Sequence, residues 1–323
     1  MIEASTIADE TPLPAAPAGW FDYSYAALMD DRLALVRLRR DFRAEYARWS
    51  QEVSKGNHKI PRPTLRGEDI RLSVFDGMVE TDVVIVPSGV HPLIDRTVDG
   101  RWTVASARAG EGETNGRIYS ARGDEEQAIV LGDGIEHLLC APDGTLWVGY
   151  FDEGVVGGWH DGGRSSVSAG GIVQFDAKGR VLWSFNDQEK DGHVVLDCYA
   201  MTLVGNMLWS CFYTGFPIAR VDRGKVTFWP NAVAGAKAIA VADNMVLLAG
   251  GYAGDEERIA VVKIDGATSH QIGELRFSAT VIGSADLVQG RGGILHIVRN
   301  GVWSKLSVYD AALAVGQPEN EGP

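Results

Sequence analysis

A strand-turn-strand unit recurs along most of this sequence. In its clearest copy, the apolar run Leu138–Ala141 leads into the turn Pro142–Gly144, and a second apolar run, Leu146–Gly149, follows. Asp-Gly between two such runs is a strong signal for a β-hairpin. Two more strand-like runs, Gly171–Asp176 and Val181–Phe185, complete the unit. Because each run is short and ends in a tight turn, the unit predicts a four-stranded antiparallel meander.

Five further units share this layout and extend it over nearly the whole chain. Their first strands begin at Tyr25, Pro92, Tyr199, Ala238 and Ala285. Repetition of one four-stranded unit predicts an all-β fold, a β-propeller of about six four-stranded blades. One alternative is a β-sandwich with an appended region, although a sandwich does not require the same strand order in every unit. The other is a seventh blade, formed if residues 311–323 pair as strands.

The last unit lacks a fourth strand, because the sequence turns polar after Tyr309. In a propeller the other terminus can supply this strand, and Trp20–Ser24 lies just before the first inner strand. We therefore expect N-terminal strand closure by Trp20–Ser24, which removes an open sheet edge. On this prediction residues 19–312 form a single propeller domain, while the Pro-rich or polar residues 1–18 and 313–323 are flexible tails.

Two insertions interrupt the repeated units. In residues 40–69, the side chains Phe42, Tyr46, Trp49 and Val53 follow helical spacing, which predicts a short amphipathic helix lying across the propeller. Its aromatic side chains either cover a blade or bind a partner. The second insertion, residues 152–170, is rich in glycine and predicts a flexible loop that could act as a lid.

The charge balance excludes some classes of partner. The formal net charge is −13, with 43 acidic against 30 basic residues, which argues against nucleic acid and anionic membranes as partners. A basic cluster between Arg37 and Arg48 is interpreted as a solvated helix face. The sequence has no long apolar run, and its three cysteines cannot all pair with one another. We therefore expect a cytoplasmic protein.

The order of strands in a meander places two sets of connections on one face of the propeller. These connections follow the second and fourth strand of each blade, and they carry aromatic and acidic side chains. The candidate ligand-binding residues are Tyr150, Asp152, Glu153, Tyr199, Tyr213, Lys237 and Tyr252. A surface of this kind suits a cationic or polar ligand, either a small molecule or a basic segment of a protein partner.

Acidic residues also stand where inner strands begin, around the expected central channel. Glu136, Asp197 and Asp286, with Asp95, could hold a hard cation such as Ca or Mg through carboxylate oxygens. The alternative is that these acids cap turns or face water. His137, next to Glu136, is the candidate catalytic residue, as a general base.

Two segments, Asp143–Val148 and Gly171–Asp176, resemble blades of the six-bladed superfamily that contains gluconolactonases and streptogramin lyases. This resemblance concerns the blade pattern. It implies a metal held by Glu, Asp and two Asn at inner positions of the channel, with a catalytic His in the lyases. Glu136 and Asp197 match that set in kind, whereas the Asn residues have no counterpart and Lys237 occupies one of the positions.

Motifs of nucleophilic, zinc or nucleotide sites are absent from the sequence. The leading prediction is therefore a binding propeller that recognises a protein partner or a small ligand on its acidic and aromatic face. A metal-dependent lactonase or lyase is the alternative.

Overall fold

The β-propeller prediction is confirmed by a computed structural model, which describes residues 2–157, 166–188, 192–252, 254–277 and 282–316. Within these residues the strands form six sheets, which we number as blades 1 to 6 in chain order. In blades 1 to 5 four strands pair antiparallel in sequence order from the inner strand outward, and in blade 6 the first three strands do so.

The strands have the following bounds. Two short strands come first, β1 (Ile2–Glu3) and β2 (Asp9–Pro12). Blade 1 contains β3 (Phe21–Ala27), β4 (Leu33–Leu38), β5 (Asp69–Phe75) and β6 (Glu80–Pro87). Blade 2 contains β7 (Pro92–Arg96), β8 (Trp102–Ser106), β9 (Gly116–Tyr119) and β10 (Glu125–Ile129). Blade 3 contains β11 (Ile135–Cys140), β12 (Leu146–Tyr150), β13 (Ile172–Phe175) and β14 (Val181–Ser184).

The second half of the ring continues in the same way. Blade 4 contains β15 (Asp197–Val204), β16 (Met207–Tyr213), β17 (Ile218–Asp222) and β18 (Lys225–Trp229). Blade 5 contains β19 (Ala238–Ala242), β20 (Met245–Ala249), β21 (Arg258–Asp265) and β22 (Thr268–Arg276). Blade 6 contains β23 (Leu287–Arg291), β24 (Ile294–Arg299) and β25 (Val302–Ser307), with β2 as its outer strand.

The inner strands contact one another in cyclic order, from β3 through β7, β11, β15, β19 and β23 back to β3. Gly290 shows how close two of them come, since a Cβ atom built at this position would lie 1.7 Å from the carbonyl oxygen of Ile239. Apolar side chains from adjacent blades fill each of the six blade interfaces. Burial of this surface is the main force holding the ring together.

Closure by an N-terminal strand is confirmed, but the strand is not the expected one. β2 pairs antiparallel with β25, with Asp9 opposite Lys305 and Pro12 opposite Val302. Trp20–Ser24 instead overlaps β3, the inner strand of blade 1. β1 also pairs parallel with β22 at the edge of blade 5. Residues 1–18 are therefore not simply a flexible tail, because part of this segment belongs to two blades.

Three α-helices interrupt or follow the described strands: α1 (Phe42–Ser54), α2 (Asp152–Gly157) and α3 (Val308–Gly316). α1 is the helix expected in the first insertion, and the Asp41 side chain caps it by accepting from the Ala44 amide at 2.9 Å. α2 occupies the start of the expected glycine-rich loop, of which residues 158–165 lie outside the described residues. α3 extends past residue 312, so the expected tail begins as helix. Among the described helices, none is long and apolar enough to cross a membrane.

Candidate functional site

A cavity opens at the end of the channel where the inner strands begin, on what we call the upper face. Its volume is about 640 Å³, which lies in the range of small-molecule sites. All inner strands except β19 contribute residues, and Lys237, directly before β19, contributes for blade 5. The polar and aromatic lining includes Tyr25, Glu136, His137, Asp197, Tyr199, Lys237 and Asp286.

Three carboxylates lie close enough on the upper face to affect one another. Glu136 is exposed in β11, Asp152 is exposed at the start of α2, and Asp197 begins β15. Burial, followed by the charges of Asp152 and Glu136, raises the pKa of Asp197 to about 6. Within the described residues none of the three carboxylates has a basic ion-pair partner. The three carboxylates therefore form an uncompensated negative field, and we call them the acidic triad.

Aromatic side chains form the adjoining part of the upper face. The hydroxyl groups of Tyr199 and Tyr252 hydrogen-bond at 2.9 Å. The rings of Tyr199, Tyr213 and Tyr252 all pack around Phe216, with centroids 5.1, 5.8 and 5.8 Å from it. Tyr213 remains 46% exposed and Tyr252 52% exposed. These four residues form a solvent-facing aromatic cluster that begins next to Asp197.

The local backbone explains how this aromatic cluster is held. Gly235 has φ +73°, and a Cβ atom there would lie 3.1 Å from Cγ of Tyr252, so the ring of Tyr252 packs directly over the glycine. The hydrogen bond to Tyr252, together with burial, raises the pKa of Tyr199 well above its ordinary value. Phe216 and Gly235 were not predicted from the sequence, because each stands alone in a loop without a periodic pattern.

Two of the expected ligand-binding residues have other contacts. Tyr150 does not reach the rim, which corrects its expected position. It ends β12, is fully buried between blades 2 and 3, and donates its hydroxyl hydrogen to the carbonyl oxygen of Leu131. Glu153 is exposed, but its carboxylate accepts from Arg108 at 2.5 Å, and Arg108 also binds Asp133. Glu153 thus lies beside the acidic triad, but its charge is already paired with that of Arg108.

Lys237 supplies a positive charge at the edge of the same cavity. Its side chain is exposed at the start of blade 5. Across the described part of the chain, its ammonium group has no hydrogen-bond or ion-pair partner. The cavity therefore offers two signs of charge, carboxylates on blades 3 and 4 and an ammonium group on blade 5.

His137 lines the cavity between Glu136 and Leu138. Its Nε2–H donates to the carbonyl oxygen of Cys198 at 3.1 Å, which links blade 3 to blade 4. Burial lowers the pKa of His137, and the charge of Glu136 opposes this effect. The ring is thus held in one orientation by the neighbouring blade.

The expected metal ligands share the cavity without forming a compact set. Asp286 accepts from Arg43 of α1 at 2.5 Å, so its charge is compensated and α1 is anchored over the cavity edge. Asp95 lies deeper and pairs with Arg291 at 2.9 Å, while burial raises the pKa of Asp95. No group of three or more His, Cys, Asp or Glu side chains in the described ranges is arranged to hold a metal ion. The expected convergence of Asp95, Glu136, Asp197 and Asp286 is therefore not observed.

Comparisons with known proteins support the fold. No family model matches the sequence, and no curated protein matches it. The Cps50 (Swd1) β-propeller domain of Myceliophteria thermophila is similar in structure, with TM-score 0.50 and 8% identity over 93% of this chain and 100% of that one. KlAtg21, solved in complex with the coiled-coil of AgAtg16, gives TM-score 0.50 and 10% identity over 86% of this chain and 77% of that one.

A longer bacterial structure also matches. The extracellular domain of BT4673 from B. thetaiotaomicron gives TM-score 0.46 and 10% identity over 97% of this chain. This chain spans only 42% of that domain. The two matches at TM-score 0.50 show a β-propeller fold, and at 8% and 10% identity they do not identify a ligand or an activity.

Proposed function

We propose that this protein is a binding propeller whose upper face recognises a cationic group. The group belongs either to a basic segment of a protein partner or to a small amine. The observation that carries the proposal is the acidic triad, Glu136, Asp152 and Asp197, whose carboxylates lack a basic partner among the described residues and stand beside an exposed aromatic cluster. An ammonium or guanidinium group fits both features, because it pairs with carboxylates and stacks on aromatic rings.

Asp197 has the most strongly perturbed carboxylate of the acidic triad. A carboxylate with a pKa of about 6 is still mostly ionised at neutral pH, so the triad carries nearly its full charge there. Holding these like charges together is unfavourable in the free protein. A cation bound among the three carboxylates removes this repulsion. The stability that the repulsion costs the free protein then contributes to the free energy of binding.

The aromatic cluster then sets the shape of the site. Tyr213 and Tyr252 present about half of their surface to solvent, while Phe216 fixes their rings from below. Rigid, amphipathic rings of this kind provide contact area at low cost in conformational entropy. A long basic side chain therefore suits the site, because its methylene groups pack on tyrosine while its charge reaches the triad.

Two probes distinguish the two sources of the cation in a calorimetric titration. Acetyl-Lys-Arg-Lys-amide imitates a basic partner segment, and cadaverine imitates a small amine. A peptide with Gln at all three positions is the neutral control. We expect at least one cationic probe to bind, and we expect the double substitution Glu136→Gln with Asp197→Asn to weaken it roughly tenfold or more.

The matched control variant is Asp69→Asn, which alters an exposed aspartate at the start of β5, outside the cavity lining. It should leave the affinity unchanged. Equal binding of the neutral peptide, or equal weakening by Asp69→Asn, would contradict the proposal. If only the peptide binds, the partner segment is the source, and if only cadaverine binds, the small amine is.

A metal-dependent lactonase or lyase remains the second candidate, because Glu136, His137 and Asp197 line one cavity. It predicts that the purified protein contains stoichiometric Ca or Mg and that chelation lowers the melting temperature. The binding proposal predicts no change on chelation. Melting curves with and without chelator therefore separate the two candidates.

We also propose a reducing, cytoplasmic location. Its support is that Cys140, Cys198 and Cys211 are all buried free thiols, as expected where disulfides do not form. Fractionation of the native cell tests this proposal.

A further inference from the structure

A second cleft lies on the upper face, between the first insertion and blade 2, and shares no lining residue with the first cavity. Its volume is about 380 Å³. The insertion contributes Phe42, Arg62 and Leu65, and the connections next to β7 and β8 contribute Val90, His91 and Arg108. The lining thus combines apolar side chains with basic and polar ones, and it includes no acidic residue.

The charge of this cleft is opposite in sign to that of the whole chain. Arg108 is neutralised, since its guanidinium group binds Asp133 and Glu153. Arg62 has no carboxylate partner among the described residues, and its only hydrogen bond there goes to the Tyr46 hydroxyl at 3.3 Å. The guanidinium group of Arg62 is exposed beside the cleft, so it is accessible to an anion.

Arg62 is also held in place. Its guanidinium carbon lies 5.5 Å from the ring centroid of Tyr46 and 5.6 Å from that of Trp49, both on α1. Stacking on aromatic rings orients a guanidinium group and leaves its N–H edge free to bind an anion. Arg62 is therefore oriented before any ligand arrives, which lowers the entropic cost of binding.

His91 supports the same polarity. Burial and the positive charges of Arg62 and Arg108 lower the pKa of His91, so both guanidinium groups act on this imidazole. No hydrogen-bond partner of the His91 side chain exists in the ranges that the structure describes. The imidazole is thus available as a second polar contact across the cleft from Arg62.

We propose that this cleft binds a small anion with an attached apolar group, a carboxylate or a phosphate monoester, through Arg62. The apolar part packs against Phe42, Leu65 and Val90. His91 donates a hydrogen bond to the same anion. This site is separate from the cation site of the acidic triad, and neither proposal depends on the other.

The test is a calorimetric titration of the full chain with three probes of similar shape: benzoate, phenyl phosphate and the neutral benzamide. We expect at least one anion to bind with 1:1 stoichiometry and at least tenfold more tightly than benzamide. Preference for benzoate identifies a carboxylate as the ligand class, and preference for phenyl phosphate identifies a phosphate monoester. Binding of neither anion at millimolar concentration would overturn the proposal.

Variants locate the binding to the cleft. Arg62→Gln should weaken the anion about tenfold or more, because it removes a charged hydrogen bond. Arg62→Lys should weaken it less, since the charge remains. The control is Arg66→Gln, because Arg66 lies nearby but is exposed and already paired with Glu113 at 2.9 Å. Equal weakening by Arg62→Gln and Arg66→Gln would mean general electrostatic attraction and would overturn the proposal. Melting curves of each variant confirm that it is folded.

Discussion

Replacement of Asp197 by Asn is expected to stabilise the folded protein at neutral pH and to have little effect in acid. In the folded state burial and the neighbouring acids raise the pKa of Asp197 from 3.8 to about 6. The corresponding free energy is about 3 kcal/mol if no screening acts. Asp197 is only partly buried at the mouth of the cavity, so solvent screening reduces the figure to about 1 kcal/mol.

The direction of this stability change depends on whether the folded or the unfolded state binds the proton of Asp197 more tightly. The folded state, with the raised pKa, holds the proton of Asp197 more strongly than the unfolded state does. Ionisation therefore costs stability as the pH rises from 3.8 to about 6, and the full cost is present above that window. Asn carries no charge, so the variant avoids this cost. At pH 7.5 its melting temperature should rise by about 1–3 °C.

The assay is a set of thermal melts of the wild type and Asp197→Asn between pH 4 and pH 8. The stabilisation should shrink steadily toward pH 4. Asp69→Asn serves as the control, and it should not reproduce the stabilisation at pH 7.5. If Asp197→Asn is neutral or destabilising at pH 7.5, the repulsion within the acidic triad is too weak to support the proposed cation site.

Three further predictions concern the architecture. Deletion of residues 2–12 removes β1 and β2 and exposes the edge of blade 6, so the protein should melt at lower temperature and aggregate; an unchanged monomer would contradict the closure. Trp147→Ala should cost about 3–5 kcal/mol, because Trp147 is 3% exposed, whereas Tyr252→Ala, at 52% exposed, should cost about 1 kcal/mol. Equal losses in denaturant melts would make Tyr252 a packing residue. Gly290→Ala should prevent folding, while Gly157→Ala, with open space around its Cβ position, should not; soluble expression checks both.

Most of the fold could be predicted because blade strands carry an apolar signal. The strand that closes the ring, β2, could not be predicted. Asp9–Pro12 is exposed on most of its surface, so it has no apolar alternation, and it belongs to blade 6 only through main-chain pairing with β25. Trp20–Ser24 was chosen instead because it resembles a strand. Most of it is in fact the N-terminal part of β3, which begins before the apolar residues from which the inner strand was predicted.

Part of the candidate site could likewise be predicted from the sequence. Tyr150, Tyr213 and Tyr252 were expected on one face because corresponding connections of a propeller share a face, and Tyr213 and Tyr252 do lie in one aromatic cluster. The position of Tyr150 depended on which side of β12 its ring points to, and sequence alternation did not settle this. The pair between Arg43 and Asp286 joins an insertion to the last blade, and no local pattern reports a contact over such a separation.

The pairing of β2 with β25 has a consequence for how the chain folds. Asp9 and Lys305 are about 300 residues apart in sequence, so blade 6 cannot be completed until its three other strands have formed. Bringing such distant segments together carries a large loop-closure entropy, and contacts of this kind slow folding. Each of the first five blades contains a local four-stranded meander that can assemble as the chain is synthesised. Ring closure is then the late step, and until it occurs β25 presents an open edge to other chains.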